Sequence, residues 1–222
     1  GGVAKVLATL SPAEQYQLLY AWNSWARPEQ LPPPGDWLTW YIQAGRGNGK
    51  TRTVSEWLRH RVEHEGARRL GLVGRTPADV RDTMVEGESG LLACSPPENR
   101  PVYEPSKRRL TWPNGAIGQT FTSYEPDQLR GPQFDTLAWD ELAAFKYLRE
   151  TWDNGQLALR LGPHPRQIIA TTPRPLALLK EIAAAASTHV TRGSTYDNLV
   201  NLAPSFRQQI LARYANTARG QQ

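Results

Sequence analysis

The sequence predicts an α/β domain with a mostly parallel central sheet flanked by helices. Short apolar stretches bounded by turn residues alternate along the chain with segments that have helical spacing. Strands that alternate with helices imply right-handed crossovers, and therefore parallel pairing of the strands. The chain shows no internal repeat, and its 222 residues are enough for one sizeable domain with a small appendage.

The composition narrows the function classes. The mean hydropathy is −0.56, and no apolar run reaches the roughly 18–20 residues of a membrane span. The single cysteine, Cys94, excludes a disulfide framework and a cysteine zinc cluster, and it suits a reducing cytoplasm. The net charge of +5 is carried mostly by arginine, which favours forked contacts to phosphate. A charge of this size is also ordinary for solubility alone.

The first half of the chain predicts helices around two strands. A helix over residues 3–25 would contain a start signal at Ser11, with Pro12 at the first position and Glu14 three residues on. The proline-rich stretch 27–36 breaks this helix. The remaining elements are a strand at 37–43, a helix at 51–65 ended by Gly66, a strand at 68–75 and one or two helices over 77–93.

The second half has a hairpin and then further alternation. Pro113-Asn114-Gly115 lies between apolar stretches, which is typical of a hairpin turn. The expected elements after it are strands at 134–139 and 166–171, a helical segment that includes 156–161, a helix at 176–186, a last strand at 188–194 and an amphipathic helix at 204–214.

A glycine-rich stretch between the first strand and the next helix predicts a phosphate-binding loop. The Walker A pattern is G-x-x-x-x-G-K-[ST], and here it becomes Ala44-Gly45-Arg46-Gly47-Asn48-Gly49-Lys50-Thr51, with alanine in place of the first glycine. Backbone N–H groups of such a loop point at phosphate oxygens. Lys50 would neutralise the β and γ phosphates of a nucleotide, and Thr51 would ligate Mg²⁺. A glycine-rich turn with an incidental lysine is the alternative.

Two adjacent acids after a buried strand complete this chemistry. Asp140 ends the stretch Leu137-Ala138-Trp139, where ligands bind in open α/β sheets, and Glu141 follows directly. Asp140 would hold the magnesium ion, and Glu141 would polarise the attacking water. The alternative is a helix N-terminus, which also favours acids. The loop and the acids together predict a P-loop NTPase fold of the ASCE type rather than a small-molecule kinase.

The motifs resemble, in the same order, those of the large terminase subunit of tailed bacteriophages. They are AGRGNGKTR at 44–52, LRGPQFDTLAWDEL at 129–142, IIATTPRP at 168–175 and STYDNLVNLAPSFRQQILARYANT at 194–217. In that family an N-terminal ATPase drives DNA into a procapsid, and a nuclease domain with an RNase H-like fold follows. The resemblance covers nearly the whole chain.

The resemblance implies roles for individual residues. Arg46 and Lys50 match the two basic residues of the family's Walker A loop, and the nucleotide-binding segment extends to Arg52. Thr171-Thr172-Pro173 match a coupling motif that senses the γ-phosphate. Arg130 matches a position that acts in some members as an arginine finger on the neighbouring subunit's ATP, although a surface arginine would look the same. Gln30 would read adenine in the manner of a Q motif, with a glutamine bonded to backbone as the rival interpretation.

The resemblance also implies a domain plan and partners. We expect an ATPase core with an N-terminal helical segment over 1–187, a small C-terminal lid subdomain over 188–222, and no nuclease domain or DNA cleavage. The implied cofactors are ATP and Mg²⁺. The implied partners are double-stranded DNA bound without sequence preference, the portal protein, the small terminase subunit and further copies in a ring, with an isolated domain expected to be monomeric. The implied location is the host cytoplasm, with transient docking on the procapsid.

Basic residues outside the loop are candidates for the DNA contacts, because a packaging motor grips phosphates without reading sequence. An ordinary solvated surface is the alternative for each of them. The candidates are Arg68, Arg69, Arg75, Arg81, Lys107, Arg108 and Arg109.

Two other function classes remain open on the sequence. The first is a nucleotide-gated binding or scaffold module in which hydrolysis is marginal, which Ala44 leaves room for. The second is another nucleic-acid ATPase such as a helicase, although helicases of the two-domain type need a second such fold.

Overall fold

The computed structural model describes residues 8–201 and residue 205. Its N-terminal segment contains two helices, α1 (Pro12–Tyr20) and α2 (Trp22–Trp25), where the sequence predicted one long helix. The expected capping box is confirmed. Ser11 Oγ accepts from the Glu14 backbone N–H at 3.3 Å, and the Glu14 carboxylate accepts from the Ser11 N–H at 2.8 Å. The break falls at Ala21, whose ψ of 73° is not helical.

The core is one eight-stranded sheet with the strand order β3-β4-β5-β2-β6-β7-β1-β8. Pairing is parallel from β5 through to β8 and antiparallel among β3, β4 and β5, so the predicted mostly parallel sheet is confirmed. The strands are β1 (Thr39–Ala44), β2 (Arg69–Gly74), β3 (Val102–Glu104), β4 (Arg109–Thr111), β5 (Ile117–Thr122), β6 (Thr136–Asp140), β7 (Arg166–Thr171) and β8 (Thr188–Gly193).

Helices cover both faces of the sheet, because the central strands are apolar on both sides. One face packs α3 (Lys50–Glu63) against Trp40 and Ile42 of β1. The other face packs α6 (Leu148–Ala158) and α7 (Ala177–Ala184) against Tyr41 and Trp139. Alternate residues of β1 therefore enter opposite core layers, which fixes the register of the strand that leads into the glycine-rich loop.

The stretch 77–93 differs from the prediction of one or two regular helices. It forms a short turn of helix, α4 (Pro77–Asp79), a π-helical segment (Val80–Val85), and then α5 (Leu91–Cys94). Gly90 separates the two parts with an extended backbone, φ −78° and ψ 171°, and a Cβ atom there would lie 2.6 Å from the Val85 carbonyl oxygen. The segment 156–161 is helical only as far as Ala158.

The hairpin at Pro113-Asn114-Gly115 is confirmed. It joins β4 to β5, and Gly115 adopts a φ of +84°. Four short 3₁₀ segments lie in connections between elements: Pro28–Gln30, Pro105–Lys107, Pro126–Leu129 and Leu142–Ala144. Within the described residues no helix combines the length and apolar character that crossing a membrane requires.

The strand predicted at 188–194 is present, at the start of the range 188–222 that we expect to form a lid. Residues 188–193 form β8, which pairs with the whole of β1 from Thr39↔Thr188 to Ala44↔Gly193 and so belongs to the central sheet. A 3₁₀ segment, Thr195–Asn201, follows it. The helix predicted at 204–214 falls, apart from residue 205, outside the described residues.

Candidate active site

An open cavity of about 920 Å³ lies at the carboxyl ends of β1, β2, β6 and β7. Parallel α/β sheets bind ligands at this edge, because loops and helix N-termini converge there. The lining includes the glycine-rich loop, the acidic pair and Thr172. Residues far apart in sequence are thus brought together at the place that the motifs predicted.

The glycine-rich loop connects β1 to the N-terminus of α3. Gly47 and Gly49 have φ values of +73° and +96°, which only glycine adopts without strain. Gly49 caps α3, whose first N–H groups have no partner within the helix. Arg46 is exposed at the cavity edge, and Thr51 lines the cavity beside it. The loop therefore presents backbone donors, a cation and a hydroxyl to one space.

Ala44, the departure from the Walker A pattern, has a local explanation. It ends β1, is fully buried, and belongs to the same core layer as Trp40 and Val54. Its φ is not positive, since Arg108 and Glu141 are the non-glycine residues with positive φ in the described part of the chain. The methyl group therefore packs into the core without obstructing the loop.

Lys50 lies between the loop and the acidic pair. Its Nζ donates to the carbonyl oxygens of Ala44 and Gly45 at 3.0 and 3.1 Å. The same atom lies 3.5 Å from the Glu141 carboxylate. The ammonium group is mostly buried, so its charge acts at short range on the groups at the floor of the cavity.

Asp140 is the last residue of β6. The pKa of its carboxyl is raised to about 7, chiefly by burial and also by the neighbouring Glu141 carboxylate, while Lys50 opposes the shift. A bound cation would stabilise the charged form of such a carboxyl group. No cluster of three or more His, Cys, Asp or Glu side chains suited to a metal exists among the described residues. The oxygens of Thr51 and Asp140, which both line the cavity, are of the kind that Mg²⁺ prefers together with phosphate and water.

Glu141 adopts a left-handed backbone conformation, with φ 52° and ψ 44°. For a non-glycine residue this conformation costs roughly 1–2 kcal/mol. It is held by the Glu141 N–H, which donates to Ala170 O at 2.7 Å. The turn directs the carboxylate at Thr172, which donates to it from both its backbone N–H and its Oγ1 at 3.2 Å. Backbone strain of this kind clusters at functional sites.

The Thr-Thr-Pro motif contacts the segment after β6 at two points. Thr171 Oγ1 is buried and accepts from the Ala143 N–H at 3.0 Å. Thr172 binds Glu141 as described. The motif residues at the end of β7 thus bridge to the residues that follow the acidic pair.

Arg130 and Gln30 lie outside the cavity lining, as do four further sequence-predicted residues, Ala44, Gly45, Asn48 and Thr171. Arg130 is exposed, its Nε lies 2.9 Å from the Asp127 carboxylate, and it donates to Asn154 Oδ1 at 3.4 Å. Gln30 is buried behind the loop. Its Nε2 donates to Thr53 Oγ1 at 3.1 Å, and its Oε1 accepts from the Arg27 backbone N–H at 3.2 Å. This geometry favours the rival interpretation of Gln30, and adenine contact stays an untested prediction.

Asn48 and Arg52 also differ from a simple nucleotide-contact interpretation. The Asn48 side chain is buried and donates from Nδ2 to Ser194 O at 2.8 Å, so its amide faces away from the cavity. Arg52 lines the cavity and also pairs with the buried Glu56 at 2.6 Å. Asn48 can therefore serve a nucleotide through its backbone only.

Most of the candidate DNA-binding residues already have partners within the chain. Arg75, Arg81, Lys107 and Arg108 pair with Asp79, Asp82, Glu104 and Glu125 at 2.9, 2.6, 2.5 and 3.3 Å. Arg68 donates to Asn114 O at 2.5 Å, Arg69 is exposed, and Arg109 is half-buried in β4. Exposed ion pairs contribute little and exchange readily, so the DNA role remains a prediction for each.

Sequence reasoning missed several residues of the cavity. Arg75 and Arg174 bring additional cations, and Asp79, Asp82 and Glu88 bring additional acids. Arg174 donates to Ala143 O at 3.3 Å. No spacing rule identifies these residues. Arg174 does lie two positions after Thr172, within the motif IIATTPRP at 168–175.

Solved structures of phage large terminases have the same fold. The large terminase ATPase domain of Thermus phage P74-26 matches with a TM-score of 0.62 at 13% identity, covering 92% of each chain. The large terminase of another thermophilic bacteriophage, solved in complex with ADP, matches with a TM-score of 0.63 at 13% identity, covering 90% of this chain and 49% of that one. The large terminase of bacteriophage HK97 gives a TM-score of 0.53 at 16% identity, covering 95% and 44%.

This chain therefore spans about half the length of the ADP-bound terminase and of the HK97 protein. A comparison with curated protein sequences finds no match. The family model described as "Terminase large subunit, T4likevirus-type, N-terminal" matches residues 41–222. That range contains the loop, the acidic pair and the Thr-Thr-Pro motif, and the chain belongs to this family of large terminase N-terminal domains.

Proposed function

We propose that this chain binds ATP with Mg²⁺ in the cavity at the ends of β1, β6 and β7 and hydrolyses it as the motor domain of a phage DNA-packaging machine. The observation that carries the proposal is the position of Glu141. Its carboxylate lies between the Lys50 ammonium at 3.5 Å and two Thr172 donors at 3.2 Å. The proposed phosphate-binding cation Lys50 and the proposed coupling residue Thr172 therefore both contact Glu141, the proposed general base.

The residues divide the chemistry between them. The backbone N–H groups of the loop and the first turn of α3 bind phosphate oxygens, and Lys50 neutralises their charge. Thr51 and Asp140 would hold Mg²⁺, which supplies charge neutralisation at the β and γ phosphates when it is bound. Glu141 orients the attacking water. Phosphoryl transfer needs mainly positioning and electrostatic stabilisation, and these groups provide both.

Two arginines extend the proposal. Arg46, at the exposed edge of the loop, is free to approach the γ-phosphate. Arg130 lies outside its own cavity, which is compatible with a finger that reaches a neighbouring subunit's ATP in a ring. A cation delivered in this way raises the rate of phosphoryl transfer by roughly 10³–10⁵.

The biological setting follows from family membership. The assembled protein would translocate double-stranded DNA through a portal into a procapsid, with the small terminase subunit as a further partner, in the cytoplasm of the infected host. Residues 188–222 would supply the lid that moves with the ATP state, with β8 attaching it to the central sheet. For these 222 residues we propose ATP turnover without DNA cleavage, which a plasmid-nicking assay with Mg²⁺ tests directly.

The deciding experiment measures phosphate release by the purified chain with and without Mg²⁺. Glu141→Gln should lower turnover by at least about 10², with ATP affinity, measured by a fluorescent analogue, retained. The matched control is Glu181→Gln, an exposed acid of α7 that pairs with Arg149, and it should behave as wild type. Turnover that survives Glu141→Gln or needs no Mg²⁺ would refute the assignment. Nucleotide binding without turnover in the wild type would favour the scaffold alternative.

A further inference from the structure

The carbonyl oxygens of the phosphate loop are held by side chains from two distant parts of the sequence, and one of these residues, Asn198, also lines the cavity. Three successive loop carbonyls each accept a side-chain hydrogen bond, which gives these pairs: Thr195 Oγ1 to Arg46 O at 2.8 Å, Asn198 Nδ2 to Gly47 O at 2.6 Å, and Arg27 Nη2 to Asn48 O at 2.6 Å. We call Arg27, Thr195 and Asn198 the loop brace. Arg27 precedes the first 3₁₀ segment, and the other two lie on the segment after β8.

Two members of the loop brace, Arg27 and Asn198, are joined to each other. Arg27 Nη1 donates to Asn198 Oδ1 at 2.9 Å, so one guanidinium spans the loop and the segment after β8. Its Nε is fixed by Glu29 at 2.6 Å. The planar fork of arginine suits this geometry, because it presents donors in two fixed directions. A lysine at this position would keep the positive charge but could not donate in both fixed directions, to Asn48 O and to Asn198 Oδ1.

The segment after β8 also holds the loop through Asn48 and Gly193. The Asn48 amide donates to Ser194 O at 2.8 Å, and the Gly45 N–H donates to Gly193 O at 3.3 Å. A Cβ atom on Gly193 would lie 2.7 Å from Asn48 Nδ2. This position therefore needs glycine for a close approach rather than for an unusual φ.

Fixing these carbonyls determines where the loop amides point. A peptide unit is planar and trans, so its N–H and C=O groups lie on opposite sides. Carbonyls bonded by these side chains thus leave the N–H groups directed toward the cavity, where an anion would bind. Pre-organisation of this kind strengthens binding because the loop does not have to be ordered when the ligand arrives.

We infer that Arg27 and Asn198 are positioning residues that set the nucleotide affinity of the phosphate loop without taking part in phosphoryl transfer. This inference rests on the proposed function, since it assumes that the loop binds a triphosphate. Once a nucleotide has ordered the loop, the brace is no longer needed, so affinity should fall far more than turnover.

The test uses Arg27→Ala, Arg27→Lys and Asn198→Ala in the 222-residue chain, with Arg166→Ala as the matched control. Arg166 is a half-buried arginine over the Trp37 ring, 4.4 Å from its centroid, and lies at the opposite edge of the sheet from the loop. ADP and ATP affinities are measured by calorimetry, KM and kcat by phosphate release, and loop amide exchange by mass spectrometry without nucleotide. Thermal melting checks that each variant folds.

We expect Arg27→Ala to raise Kd and KM about tenfold or more, since hydrogen bonds to charged groups contribute at least that factor, with kcat changed less than about threefold. Arg27→Lys should recover part of the loss. In the double variant Arg27→Ala/Asn198→Ala the loss of affinity should be less than additive, because Arg27 and Asn198 bond each other. Exchange at residues 45–50 should rise in Arg27→Ala and in Asn198→Ala, and not in Arg166→Ala.

Unchanged affinity in a folded Arg27→Ala variant, or a kcat that falls as much as the affinity, would overturn the inference. The proposed function fails separately, if the wild type binds no nucleotide. In that case amide exchange alone decides whether the brace orders the loop: faster exchange in the variants supports loop ordering, and unchanged exchange refutes it.

Discussion

Ala44→Gly, which gives the loop the glycine of the Walker A pattern, should lower the stability of the fold without improving KM or kcat. Ala44 is fully buried in the core layer beneath α3, and its backbone does not require glycine. Removing the methyl group loses about 0.8 kcal/mol of burial. Glycine in a strand costs a further 0.5–1 kcal/mol, roughly, in backbone entropy. The free energy of unfolding should therefore fall by about 1.3–1.8 kcal/mol.

For a domain of this size that change corresponds to a Tm lower by about 3–7 °C. Calorimetry or circular dichroism measures the Tm, and phosphate release measures KM for ATP and kcat, both of which should stay within about twofold because the Ala44 carbonyl that receives Lys50 is retained. Ala67→Gly, at another buried alanine of the same core layer, is the control for destabilisation alone. An unchanged Tm together with a several-fold lower KM would show that the alanine obstructs the loop, contrary to its observed packing.

Three further predictions follow from individual contacts. Gly155→Ala should lower the free energy of unfolding by about 1–3 kcal/mol in urea titrations, because the new Cβ would lie 2.2 Å from the Trp139 ring; a neutral effect would mean that α6 shifts freely. Cys94 should resist a disulfide reagent until the protein unfolds, because burial raises the pKa of its thiol to about 12; fast labelling of the native protein would contradict this. Thr172→Val removes the hydroxyl that donates a hydrogen bond to the Glu141 carboxylate. This change should lower kcat about tenfold and leave the ATP affinity unchanged. An affinity loss of equal size would contradict the coupling role.

The sequence predicted an element correctly where the residues of that element alone determine its structure. β7 was predicted over residues 166–171 and has those bounds, because an apolar run rich in isoleucine has few other structures available. The spacing of the glycine-rich loop and of the acidic pair beside strands also predicted that these residues lie together, and both line the same cavity. The prediction for 77–93 was wrong in part because Gly90 is extended, with φ −78° and ψ 171°, and glycine is an unfavourable residue within a helix.

Contacts between distant residues were beyond sequence reasoning. Arg27 and Asn198 are 171 positions apart, and nothing in the local pattern of either pairs them. A strand was predicted at 188–194 and is present as β8, which is polar and half-exposed. What its local pattern did not reveal is the partner, since the strand pairs with β1 along its full length. Its polarity reflects its place at the border of the sheet.

In the described part of the chain, β8 is a terminal strand of the sheet, with β1 as its one neighbour. Border strands fray before interior ones, since they have fewer hydrogen bonds to break. Yet this strand leads into Ser194, Thr195 and Asn198, which bond to the loop. A pull on the chain after Asn201 would thus act on this border strand before the interior ones and loosen the contacts that hold the glycine-rich loop. If the loop binds ATP as proposed, mechanical load would in this way reach the nucleotide.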